Sequence, residues 1–286
     1  MKSLVGPAVA LALAAGTLSA CASDDDAGFT VATASYPLAW TVEQVAGGDA
    51  TVVDVVKPGV EPHDAELTVQ QTADLTDADL VVYETGLSPA VDEVADGLDP
   101  DQVLEVSDAA RRMGDDPHFW LDPTRLADVA GAVGDAMATA DPDHADAYAE
   151  RAARLQERLG TLDGEFEKGL ADCRIDTVVV SHEAFDYLGD RYGLDLEAVN
   201  GLSPEAEPSP QHLVELRDLA EREGVTTVFA ERLGSPELAD TLADELGIDV
   251  AVLDPVEGLS DETADEDYLS LMRENLAALR KANDCT

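Results

Sequence analysis

Three of the five histidines stand in equivalent settings. His63 follows the Val-rich run Thr51–Val56 by way of Lys57-Pro58-Gly59-Val60-Glu61-Pro62. His118 lies in Asp116-Pro117-His118-Phe119-Trp120-Leu121-Asp122-Pro123, beyond the run Gln102–Val106. His182 comes directly after Thr177–Ser181. Two carboxylates are set the same way: Glu231 closes Thr227–Ala230, and Asp254 closes Val250–Leu253. Neutral imidazole is a common metal ligand, and three imidazoles with one carboxylate make a closed N3O set for Zn2+. Mn2+ prefers more oxygen, and Ca2+ and Mg2+ prefer oxygen alone. Taken singly, each residue has a plainer explanation. Asp254 before Pro255 suits a turn, and Glu231 suits a helix N-terminus. The recurrence of ligand-type residues at five strand ends is what points to a metal. His144, in an acidic helix start, and His212, in the first turn after Pro210, fit capping or surface roles.

Those residues need a frame that brings strand ends together. Eight short apolar runs read as strands: Phe29–Ala34, Thr51–Val56, Leu80–Tyr83, Gln102–Val106, Thr177–Val180, Leu194–Val199, Thr227–Ala230 and Val250–Leu253. Several are apolar throughout, as in strands covered on both faces. Between them lie amphipathic stretches. Leu213, Leu216 and Ala220 recur at helical spacing in 210–223, and Tyr268, Met272, Leu276 and Leu279 in 264–282. Alternating β and α implies parallel sheets, whose C-terminal strand ends carry ligands. In the middle the alternation stops. Pro123–Ala140 reads as one helix; Asp141 then caps a second, with Pro142 at its first position, running to about Leu170. The fold class expected is α/β, with two lobes, each a four-stranded parallel sheet flanked by helices, joined by one long backbone helix. The lobes span 29–140 and 172–286, and the linking helix 141–171.

The chain has 286 residues, with 17 Lys and Arg against 61 Asp and Glu, for a net charge of -44. A nucleic-acid binder needs basic surface to neutralise phosphates, so that class is excluded, as is electrostatic attachment to an anionic membrane. Cations are the natural partners of such a surface, and a salt-tolerant source would screen its self-repulsion. Residues 1–20 hold one charge, Lys2, and an apolar run too short to span a bilayer, as in a secretory signal. Leu18-Ser19-Ala20-Cys21 resembles a lipobox, which marks Cys21 for lipid attachment after cleavage and leaves 21–28 as an acidic tether. The alternative is an ordinary signal peptide with Cys21 incidental. Outside the cytoplasm, Cys173 and Cys285 are expected to form a disulfide; the alternative is two buried thiols.

Four stretches resemble the metal-receptor lipoproteins of bacterial ABC importers, over nearly all the mature chain. They are Gly59 to Leu67, Asp116 to Pro123, Ser181 to Leu194, and Phe229 through Gly247 to Asp254-Pro255. The second matches the family's D-P-H-x-W-L-D-P at every defined position. The resemblance implies His63, His118, His182 and Asp254 as ligands, and a two-lobed fold with a backbone helix. His182, three residues before Phe185, is the zinc branch's residue; the manganese branch has Glu there, and Glu183 is off register. The stretch 201–210 also looks like the zinc branch's cleft loop. No histidine occurs in 107–117, so the His-rich loop of many zinc receptors is missing.

The resemblance implies a lipid-anchored, monomeric receptor on the outer face of the cell membrane, delivering Zn2+ to an ABC permease driven by its ATPase. Glu231 would orient a histidine or offer an extra oxygen. Imidazoles must be neutral to bind, so affinity should fall below about pH 6.5, and the long helix should restrict opening to small motions. A manganese receptor and a surface adhesin are the alternatives. Four protein ligands leave no open position for a hydrolase, so no enzyme is expected.

Overall fold

In a computed structural model, which describes residues 28–204, 206 and 208–286, eight strands and ten α-helices alternate. The first half runs β1 Thr30–Thr33, α1 Tyr36–Ala46, β2 Thr51–Asp54, α2 Val69–Thr76, β3 Leu80–Tyr83, α3 Pro89–Ala95, β4 Val103–Glu105 and α4 Ser107–Ala110. Then come α5 Pro123–Ala140 and α6 Ala145–Leu170 with no strand between them. The second half is β5 Thr177–Val180, α7 Asp186–Tyr192, β6 Asp195–Ala198, α8 Pro210–Glu223, β7 Thr227–Ala230, α9 Glu237–Leu246, β8 Asp249–Val252 and α10 Tyr268–Ala282. Each half makes a four-stranded parallel sheet, ordered β2-β1-β3-β4 and β6-β5-β7-β8. The expected two-lobed α/β class is the observed one. The signal segment, Cys21 and all but the last residue of the acidic tether lie outside the described residues.

Element limits differ from the sequence pattern where a side chain intervenes. β2 stops at Asp54 because its Oδ1 accepts from Val56 N at 3.1 Å, turning the chain. α10 starts at Tyr268, four residues after the pattern begins, because Asp267 and Ser270 form a capping box. Asp141 does not cap the long helix with its side chain. A 3-10 turn, Pro142–His144, comes first, and Asp141 Oδ2 instead holds His144 Nδ1 and Tyr148 OH, each at 2.7 Å.

Strand alternation divides the core. Val31 and Val82 in the first sheet, and Val178 and Val180 in the second, face a common cluster with Trp40, Val133, Leu155, Phe166 and Met272. Ala32 and Val81, and Val179 and Val228, face separate outer clusters. Both lobes thus share one interior, with α5, α6 and α10 inside it. The two sheets are fixed relative to each other by buried apolar surface, which opposes a wide hinge motion.

Cys173, just past α6, and Cys285, just past α10, form a disulfide across 112 residues. Backbone bonds already hold these ends together, from Arg174 N and Ile175 N to Asn283 O and from Thr286 N to Asp172 O. Replacing both cysteines by serine should lower stability by about 2–5 kcal/mol, chiefly by freeing the unfolded chain. Unfolding in denaturant measures this, and an unchanged midpoint would contradict it.

Candidate metal centre

The D-P-H-x-W-L-D-P stretch shows how local chemistry aims one imidazole. Asp116 Oδ1 accepts from His118 N at 2.9 Å and lies 2.7 Å from His118 Nδ1. One carboxylate therefore fixes both backbone and ring, and with Nδ1 donating, the Nε2 lone pair faces inward. Trp120 packs edge-on to the His118 ring and donates Nε1–H to Pro255 O at 2.7 Å, joining the lobes beside the site. Asp122 caps α5 by accepting from Thr124 N at 2.8 Å, and Pro123 takes the first turn.

His182 is aimed in the same way from the other lobe. Its Nδ1 lies 2.5 Å from Glu231 Oε1, which also accepts from Ser181 Oγ. Glu231 stands immediately after β7, so adjacent strand ends supply the ring and its holder. Glu183, the next residue, is exposed and donates its N–H to Gly201 O. His63 sits in a single 3-10 turn, Pro62–Asp64, started by Glu61, whose Oε1 accepts from His63 N at 3.2 Å.

The three rings converge with a fourth group, the carboxylate of Glu257. His63 Nε2 and His118 Nε2 are 3.1 Å apart. Glu257 Oε1 is 3.1 Å from His118 Nε2, 3.4 Å from His182 Nε2 and 3.9 Å from His63 Nε2. A tetrahedron of ligands about 2.05 Å from zinc has edges of about 3.3 Å. Neither Glu257 oxygen nor His182 Nε2 has a partner in hydrogen-bond geometry, although all are buried. Such atoms cost free energy unless something at their common centre satisfies them. The donor set and its spacing fit Zn2+.

Asp254, expected as the fourth ligand, stands apart from this group. Its Oδ2 pairs with Arg232 Nε at 2.9 Å, and its Oδ1 accepts from Val256 N at 2.8 Å. Asn275 clamps its backbone on both sides, accepting from Asp254 N at 2.8 Å and donating to Asp254 O at 2.6 Å. The chain then passes through Val256 at φ 58°, a left-handed conformation that is strained for a β-branched residue, and Val256 is fully buried. That turn throws Glu257 back between the rings, where its own carbonyl accepts from Tyr36 N at 3.2 Å. Asp254 thus winds the turn that presents Glu257. The signal for Glu257 was a second carboxylate three residues beyond Asp254. Asp116, inside the motif, likewise has a role that only its contacts with His118 reveal. His144 and His212 lie outside the group, on Asp141 and on Ala198 O.

Electrostatics separate the rings. Burial pushes His63 down to about 4, with the neighbouring His118 and His182 adding to it, against the pull of Glu257. Burial also opposes charge on His182, but the bond to Glu231 and the Glu257 carboxylate outweigh it and hold the ring up at about 10. His118 is raised for the same reason, by Asp116 and Glu257 against burial. Burial works against the Glu257 anion, yet His118 and His182 keep it well below the usual carboxylate range. The metal-free group is therefore an ion network in which protons stand in for the cation.

The family described as "ZnuA: Zinc-uptake complex component A periplasmic" matches residues 31–282. The zinc-binding lipoprotein AdcA of Streptococcus pneumoniae strain R6 is 32% identical over 93% of this chain, which spans 58% of that relative's length. The high-affinity zinc uptake system protein ZnuA of Bacillus subtilis is 29% identical, over 94% of this chain and 93% of its own. Among solved structures, the Zn(II)-bound ZnuA-like domain of S. pneumoniae AdcA superposes with a TM-score of 0.77 and 33% identity, covering 90% of this chain and 99% of that one. The laminin-binding protein of Streptococcus agalactiae, described as bifunctional with adhesin and metal transporting activity, gives 0.81 and 31%, covering 89% and 99%. The chain belongs to the family of the periplasmic component A of the zinc-uptake complex.

Proposed function

We propose that this protein is an extracytoplasmic receptor that captures Zn2+ between its lobes and passes it to an ABC permease and its ATPase. His63, His118, His182 and Glu257 are the ligands in this reading; Asp116 and Glu231 orient two of the rings, and Asp254 positions Glu257. The observation that carries it is the convergence of four donors, three of them on buried residues, with the Glu257 oxygens and His182 Nε2 left unpartnered at their centre. Family membership and the zinc-binding relatives support the same choice. Four protein donors leave no corner for a reacting water, which suits holding an ion rather than hydrolysis. Cys21 is the anchor in this account, with 1–20 removed and 21–28 as tether. Among the described residues no helix is long and apolar enough to cross a membrane.

Competitive calorimetry on metal-stripped protein tests the reading. One tight zinc site, with manganese far weaker, is expected. Equal or tighter manganese binding would overturn it. The titration also has a pH signature. His182 keeps a proton below about pH 10 in the metal-free fold, and zinc must displace it. Zinc affinity should therefore rise by about ten-fold per pH unit for each proton displaced, and weakening on acidification should begin well above pH 6.5. Binding enthalpies that do not depend on the buffer's ionisation heat at pH 7 would contradict this.

A further inference from the structure

The proposed ligands are not equally sealed. The side chains of His118 and His182 have no exposure and that of Glu257 has 1%, whereas that of His63 keeps 10%. Next to the group lies a cavity of about 500 Å3. Ser181, Asn200, Glu231, Leu233 and Glu237 of the second lobe line it, and among the described residues only Glu61 comes from the first. Glu61 also reaches the metal group: it accepts from His63 N, and burial, with the Glu257 carboxylate beside it, pushes its own carboxyl up to about 8. The other carboxylates on the wall are engaged. Glu231 holds His182 and Ser181, and Glu237 accepts from Ser235 Oγ at 3.1 Å. A zinc ion carrying about six waters of about 30 Å3 each needs roughly 200 Å3. The cavity accommodates that. The donor cage, whose ligand atoms all lie within 4.8 Å of one another, does not.

Resting on the zinc reading above, we propose that this cavity is the vestibule through which hydrated zinc reaches the cage, and that Glu61 is its transient ligand. Its oxygen replaces water first, and Glu257 and His63 then take the ion from it. Because Glu61 acts on the way in and on the way out, it speeds both directions and alters the equilibrium little.

Stopped-flow mixing of the metal-free full-length chain with Zn2+ tests this, using the fluorescence of Trp120, whose ring lies 5.4 Å from that of His118. Glu61→Gln keeps an acceptor for His63 N and removes the carboxyl that would become the anionic ligand. Its association rate should fall by about ten-fold or more, its release into excess chelator by a similar factor, and Kd should move by less than about three-fold. Glu61→Asp should recover most of the rate. The deficit should persist in 1 M KCl, where screening to about 3 Å removes long-range attraction. Unchanged association, a deficit abolished by salt, or a Kd change carried by dissociation alone would overturn the proposal. A wild-type chain that binds no zinc would overturn the receptor reading, and this one with it.

Discussion

Replacing His118 with alanine is expected to lower zinc affinity by several hundred-fold or more while the protein stays folded. A closed structural zinc site is worth about 10–16 kcal/mol, so each of four ligands carries roughly 3–4 kcal/mol, or about 10²–10³ in affinity. Of the proposed ligands, His118 has the least freedom to be replaced. It is fully buried, fixed by Asp116 at two atoms, and packed on Trp120. The surrounding fold does not depend on the ring, because Trp120 remains tied to Pro255 and Asp122 still caps α5. Competition against a chelator of known affinity measures the loss, and circular dichroism checks the fold. An affinity within ten-fold of wild type would remove His118 from the ligand set.

The second expectation is an ordering. Glu257→Gln should weaken zinc by about a hundred-fold or more, and Asp254→Asn by about ten-fold or less. Glutamine keeps the size of Glu257 but loses the anion that sits among the three imidazoles and balances a dication. Asparagine at 254 keeps an oxygen for Val256 N, so the turn can still form. It loses the ion pair with Arg232, which retains Glu274 at 2.6 Å. Parallel titrations of both variants decide it. A larger loss at 254 than at 257 would restore Asp254 as the ligand and leave Glu257 a neighbour.

Much of this protein was legible along the chain. Val-rich runs with apolar residues on both faces, separated by stretches of helical period, could be satisfied only by covered parallel sheets. β3, β5, β7, α5 and α8 have the limits their patterns implied. The three histidines were legible because strand ends in such sheets face one cleft, and the pairing of Cys173 with Cys285 because a signal-like N-terminal segment implies a compartment in which disulfides persist. Element ends were less so. Asp54, Asp141 and Asp267 can each cap, turn or pair, and the choice depends on partners as distant as Tyr148.

Which carboxylate stands among the imidazoles was decided by tertiary structure alone. Position after a strand favoured Asp254, and by sequence distance it is the better candidate. What brings Glu257 rather than Asp254 to the imidazoles is a buried valine at φ 58°, an arginine 22 positions away in sequence whose charge Asp254 meets, and Asn275 from α10 gripping the Asp254 backbone. A left-handed valine has no local signature, since its strain is borne by packing from other elements. Residue type and strand order determined that this chain would gather imidazoles at a cleft. Which carboxylate turns inward among them depends on contacts that exist only once both lobes have closed around one core.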